Sequence, residues 1–115
     1  MKRGEIWTVA GGGAYTGKPR PCVIVQDDVF DATQSITVCA FTSDPTEAPL
    51  FRVRIEPDDV NRLSASSSLM VDKITTVPKD KIGKRVGQLG DEDVVRLNQA
   101  MIVFLGLARS ARSTK

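Results

Sequence analysis

The chain contains no histidine among its 115 residues. That absence excludes histidine-based triads, histidine-paired cysteine chemistry and imidazole metal sites, and the two cysteines cannot fill a four-ligand zinc site by themselves. Aromatic residues are scarce, with one Trp, one Tyr and four Phe, too few for the clustered exposed rings of a module that grips methylated or proline-rich peptides. No apolar run approaches the roughly 18 residues of a transmembrane helix, and Met1-Lys2-Arg3 leads straight into a strand-like pattern, so the sequence predicts a cytoplasmic protein with no membrane contact. Excess charge of one sign is also missing: the formal net charge is +2.

What is present describes one ordinary globular domain, with 41% hydrophobic and 26% charged residues. A chain of this size buries roughly two-thirds of its unfolded surface and needs no disulfide or metal staple. Charge is unevenly spread. Residues 1–57 carry 6 basic and 7 acidic side chains, residues 58–115 carry 10 and 7, and the surplus centres on Lys79, Lys81, Lys84 and Arg85, a run that reads as a solvated turn. Cys22 and Cys39 lie inside apolar runs and are expected as buried, reduced thiols.

Hydrophobic periodicity predicts short strands followed by one helix. Glu5–Val9 is a first strand, and Ala10–Pro19 is a glycine-rich loop. Cys22–Val25 is continuously apolar, as a strand covered on both faces would be. Asp27–Gln34 suggests a helical turn, and Ser35–Phe41 a further strand. In Leu50–Glu56, Phe51, Val53 and Ile55 alternate with Arg52, Arg54 and Glu56. Ser68–Lys73 and Lys84–Leu89 complete the strands, with Pro78-Lys79-Asp80-Lys81 as a turn between them. From Gly90 the period becomes helical: Asp91, Glu92 and Asp93 place negative charge at a helix N-terminus, Val94, Leu97, Met101 and Leu105 follow at helical spacing, and Gly106 ends it. By the same periodicity Phe41, Phe51 and Phe104 are expected in the core. The predicted fold is mainly β with a C-terminal α-helix, a strongly bent sheet or partial barrel over residues 1–107, with 108–115 as a frayed basic tail.

Four segments together carry a specific resemblance: RGEIW (Arg3 to Trp7), KPRPCVIVQDD (Lys18 to Asp28), AFTSD (Ala40 to Asp44) and LGDEDVVRLNQAMIVFLGL (Leu89 to Leu107). In this order and spacing the chain resembles the MazF/PemK-type toxins, the endoribonucleases of bacterial type II toxin-antitoxin systems. The resemblance implies an SH3-like small barrel, a homodimer, a small cognate antitoxin with a flexible acidic segment, and sequence-selective cleavage of single-stranded RNA that uses no metal and no cofactor.

RNA supplies its own nucleophile, so the protein must provide a base for the 2′-hydroxyl, a cation for the developing phosphorane charge and a donor, none of which has to be histidine. Arg20 stands between Pro19 and Pro21 where the loop ends. Its guanidinium suits a phosphate, although the position equally fits an exposed arginine at a strand start. Thr42 reads either as a phosphate donor or as an ordinary strand-end hydroxyl. Asp72 reads as half of a surface pair with Lys73. The resemblance assigns catalytic positions to Arg20, Thr42 and Asp72, the last being an acid that some relatives use as base. Some relatives also carry arginine two positions before that acid, where this chain has Met70.

RNA contacts are expected from Tyr15, Gly17, Lys18 and Ser43 near the loop, and from Arg52, Arg54 and Lys73. Tyr15 is the loop's one aromatic; it either stacks on a base, worth about 1–3 kcal/mol, or folds back as a loop anchor. The basic residues position phosphates without reading sequence. Two other classes share such a barrel: a CcdB-like toxin that poisons gyrase without cutting RNA, and a noncatalytic interaction module. Fold alone does not choose among them.

Overall fold

A computed structural model describes residues 1–11 and 18–108. Seven strands precede one helix: β1 (Glu5–Val9), β2 (Arg20–Ile24), β3 (Ser35–Thr42), β4 (Arg52–Ile55), β5 (Ser67–Met70), β6 (Thr75–Pro78), β7 (Ile82–Gln88) and α1 (Asp91–Phe104). All pairings are antiparallel, in the spatial order β4-β5-β3-β2-β1-β7. The long strand β3 bends the sheet, because Ser35–Val38 pairs with β6 whereas Phe41 and Thr42 pair with β5. The result is an open barrel-like sheet, mainly β with a C-terminal helix, as the sequence predicts.

Two apolar layers explain the run Cys22–Val25. On the helix side Ile6, Val23, Cys39, Phe41, Ile55 and Leu69 pack under Leu97 and Ala100. On the opposite side Val9, Cys22, Ile24, Ile36 and Val38 form a smaller cluster against Trp7 and Val77. Strands β2 and β3 therefore contribute alternate residues to both layers, which is why Cys22–Val25 reads as an unbroken apolar run.

Gly90 is the N-cap of α1 and has no side chain to cap it, and the three acids of the first turn sit at the positive end of the helix dipole. It stops in a Schellman motif: Gly106 adopts φ +76°, its N–H donates to Val103 O at 3.1 Å, and the Leu107 N–H donates to Ile102 O at 2.8 Å.

The structure corrects three expectations. Phe104 and Leu105 are not core residues; they are 46% and 54% exposed, because they border an open hollow with Val25, Thr37 and Ile74 instead of closing over it. Phe51 is only half-buried and packs near Phe104, ring centroids 6.3 Å apart. The expected strand Ser68–Lys73 ends at Met70, and Val71–Lys73 is a 3₁₀ turn that buries Val71. After that turn, β6 forms a separate strand against β3. The basic run at Lys79–Arg85 is a solvated turn and strand, with Lys79 paired to Asp31 and Arg85 to Glu5.

Candidate active site

The face of the sheet opposite α1 carries a cavity of about 410 Å³, and strand register shows how it is built. Cys22 on β2 lies opposite Ala40 on β3, and Met70 on β5 lies opposite Arg52 on β4. All four line the cavity, so its floor is a row across the sheet that ends in a guanidinium. Two residues along, on the same face, β2 contributes Arg20 and β3 contributes Thr42. Lys73 reaches the same cavity from the 3₁₀ turn, and Asp44 from the segment that leaves β3.

Each polar group has a defined state. The Thr42 Oγ1 accepts the Asp44 N–H at 3.2 Å, which leaves its hydroxyl proton to donate elsewhere. The Asp44 carboxylate accepts both the Thr46 hydroxyl at 2.7 Å and the Thr46 N–H at 2.9 Å, and these bonds hold it below the usual carboxylate range. Burial pushes the Cys22 thiol up to about 12. At neutral pH it is protonated and no nucleophile. Arg20 is exposed at the cavity rim.

Asp72 stands apart from these groups. It does not line the cavity but a separate hollow beside Thr37, Ile74, Met101 and Phe104. Both of its oxygens are taken by Arg52, with Nε donating to Oδ1 at 2.9 Å and an Nη to Oδ2 at 3.2 Å. That pair above all, with a smaller contribution from the nearby charge of Lys73, holds the Asp72 carboxyl below its ordinary value. Arg52 also borders a second hollow with Arg54, Pro45 and Ser68. Arg54 is exposed and pairs with Glu56 at 3.8 Å. Ser43 and Lys18 are exposed outside the cavity lining, and Tyr15 and Gly17 lie outside the described residues.

The structure thus brings Arg20, Thr42, Arg52 and Lys73 to one cavity and sets Asp72 behind Arg52. Sequence reasoning missed Asp44 and the Arg52–Asp72 pair. The period-two run Ala40, Thr42, Asp44 pointed to the first, whereas the second depends on pairing across 20 residues of sequence. Among the described residues no group of three or more Cys, Asp or Glu side chains gathers as a metal site, and no helix is long and apolar enough to cross a membrane.

Residues 2–105 match the family described as the PemK-like, MazF-like toxin of type II toxin-antitoxin systems. A probable endoribonuclease MazF from Mycolicibacterium smegmatis is 57% identical over 108 residues, covering 94% of this chain and 99% of that protein. An endoribonuclease from a Mycobacterial species, solved in complex with its cognate antitoxin, superposes with a TM-score of 0.78 at 21% identity, over 96% of this chain and 99% of that one. The Deinococcus radiodurans MazE-MazF structure gives 0.75 at 15% identity, over 92% and 96%. At these identities the two structures establish the shared fold, and the family match, which spans nearly the whole sequence, establishes descent: the chain belongs to the PemK/MazF family of type II toxin-antitoxin toxins.

Proposed function

We propose that this chain is a toxin endoribonuclease that cleaves single-stranded RNA in the cytoplasm and so blocks translation and growth. The observation that carries the proposal is the convergence of Arg20, Thr42, Arg52 and Lys73 on one cavity in a chain 57% identical to a probable endoribonuclease MazF. Family membership favours RNA cleavage over the CcdB-like gyrase-poisoning alternative, which makes no use of Arg20 and Thr42.

The reaction is a transesterification. The 2′-oxygen bonds to phosphorus as its proton leaves, the phosphorus–5′-oxygen bond breaks, and the 5′-oxygen takes up a proton, giving a 2′,3′-cyclic phosphate and a 5′-hydroxyl. Arg20 stabilises the charge that develops on the phosphorane oxygens; its pKa above about 12 makes it a cation rather than an acid. Thr42 donates its remaining proton to a phosphate oxygen. Asp44 is the carboxylate on the cavity lining, and it takes the 2′-hydroxyl proton. Asp72 belongs to the machinery through its bond to Arg52. None of these steps calls on a metal, a cofactor or a histidine. Lys73, Arg54 and Lys18 contact neighbouring phosphates, and Tyr15, Gly17 and Ser43 contact the nucleotides near the loop.

The basic cavity also suits a partner: a small antitoxin whose flexible acidic segment covers Arg20 and Arg52 by charge complementarity. The solved relative in complex with its cognate antitoxin supports this. The chain acts as a homodimer, which the exposed apolar end of α1 at Phe104, Leu105 and Leu107 supports.

The test incubates purified protein with a long RNA in excess EDTA and maps the new ends. Sequence-selective cuts bearing 5′-hydroxyl and 2′,3′-cyclic phosphate ends are expected. Intact RNA together with inhibited gyrase would overturn the proposal in favour of the alternative.

A further inference from the structure

We infer that Asp72 is a positioning residue and that Arg52, which it aims, is a second catalytic cation at the scissile phosphate. The inference rests on the ribonuclease reading and goes beyond it, because it moves an acid that the sequence resemblance offers as a base to a different role.

Geometry separates the two roles. A base must reach the proton it removes, yet the Asp72 carboxylate faces a hollow beside α1 and spends both oxygens on Arg52, at 2.9 and 3.2 Å. The pair is side-on and bidentate, the arrangement that fixes a guanidinium plane most tightly. It takes two of the five N–H donors of Arg52 and leaves three. The guanidinium borders the cavity of Arg20 and Thr42, so the remaining donors are available to a phosphate there.

Both partners are rigidly mounted. Arg52 lies on β4 opposite Met70, its side chain is 15% exposed and that of Asp72 is 22% exposed. The guanidinium carbon sits 5.7 Å from the Phe51 ring centroid. The turn that carries Asp72 is stitched to the same strand end, with the Val71 N–H donating to Phe51 O at 3.0 Å, and Val71 is fully buried. Cation and carboxylate therefore move as one body. A donor held in place before substrate arrives needs no reorganisation as charge develops, which is the property that lowers a barrier rather than merely strengthening binding. Lys73, exposed at the end of the same turn, has no such mount and contributes to binding.

The experiment measures kcat and KM of the full chain on an RNA oligonucleotide carrying one mapped cleavage site. Arg52→Ala is expected to lower kcat by about two to three orders of magnitude. Asp72→Asn is expected to lower kcat about a hundredfold, the loss that displacing a reacting group by about 1 Å brings, with KM little changed. The double variant Arg52→Ala/Asp72→Asn is expected to be no slower than Arg52→Ala, because Asp72 acts only through Arg52. Asp72→Glu, which restores a carboxylate, recovers part of the rate. Arg52→Lys, which keeps the charge without the bidentate fork, stays close to Arg52→Ala.

Losses that multiply in the double variant would make Asp72 an independent group such as a base and overturn the inference. So would an effect confined to KM, or an Arg52→Lys enzyme with wild-type kcat. If Asp72→Asn loses its far-ultraviolet circular dichroism, the Arg52→Lys and Asp72→Glu comparisons still decide. A wild-type chain that leaves the RNA intact refutes the ribonuclease reading itself, an outcome distinct from any pattern among the variants.

Discussion

Replacing Gly87 by alanine tests the packing of the barrel where strand β7 crosses the 58–63 segment. Gly87 lies opposite Ile6 of β1. A Cβ at Gly87 would sit 2.5 Å from Asn61 O, 2.6 Å from Val60 O and 2.8 Å from Asn61 C, all backbone atoms. Real contacts of this kind essentially never fall below 3.0 Å, so the segment must retreat by at least about 0.5 Å.

It is poorly able to do so. The fully buried Asn61 donates to Glu56 O at 2.8 Å and accepts the N–H groups of Leu63 at 2.9 Å and Asp58 at 3.1 Å. Retreat also breaks the bond from Gln88 N–H to Val60 O, now 3.1 Å. Overpacking costs about 1–3 kcal/mol and the lost hydrogen bond about 1 kcal/mol, so Gly87→Ala should destabilise by about 2–4 kcal/mol. For a chain of 115 residues, Tm falls by about 4 °C per kcal/mol, which gives a drop of about 8–16 °C by circular dichroism. Gly90→Ser is the control. No atom lies within 4 Å of a Cβ there, the backbone is that of an N-cap, and a serine cap should add a few tenths of a kcal/mol. A Gly87→Ala protein that melts within about 2 °C of wild type would refute the packing argument.

Arg20→Ala is expected to slow RNA cleavage by about two to three orders of magnitude; cleavage at the wild-type rate would remove Arg20 from the chemistry. The Asp72 carboxyl is depressed by its hydrogen bond from Arg52, so its contribution to stability is fully present above the ordinary aspartate value of 3.8 and is lost as pH falls through the lower folded value. In denaturant titrations the stability gap between wild type and Asp72→Asn should be constant above that value and close below it; a gap independent of pH in acid would count against the pair. Cys22, raised to about 12 by burial, should resist iodoacetamide at pH 8 in the native protein yet react readily in urea, as mass spectrometry would show, and fast native alkylation would contradict the burial.

The parts of the fold legible in the sequence are those where one physical effect dominates. Strand β4 alternates cleanly because it buries one face, and the continuous apolar run of β2 reports burial on both. Gly106 marks the helix end because its φ of +76° suits glycine. Strand β6 escaped notice because Thr75 and Thr76 are exposed and only Val77 packs inward. The 3₁₀ turn at Val71–Lys73 continued the strand pattern of Ser68–Met70, since Val71 is buried like a strand residue. Phe104 and Leu105 kept helical spacing although they only border an open hollow beside the sheet. Within the site, Arg20 and Thr42 stood out through local motif, whereas the link between Arg52 and Asp72 is a tertiary fact.

That link is nevertheless fixed by the hydrophobic pattern. Side chains alternate along β4, so slipping its register by one residue would turn Arg52 and Arg54 into the core and Val53 and Ile55 out to solvent. Val53 is 5% exposed and Ile55 fully buried, and exposing both would cost about 3–6 kcal/mol before the penalty of burying two arginines is counted. The competing register is therefore populated less than about once in a hundred molecules. Two valine-like residues under the helix thus decide which way the guanidinium of Arg52 points, and the carboxylate of Asp72 only refines an aim that the core has already chosen. It follows that truncating Ile55 should disturb RNA cleavage through Arg52 as well as stability, although the side chain faces away from the cavity.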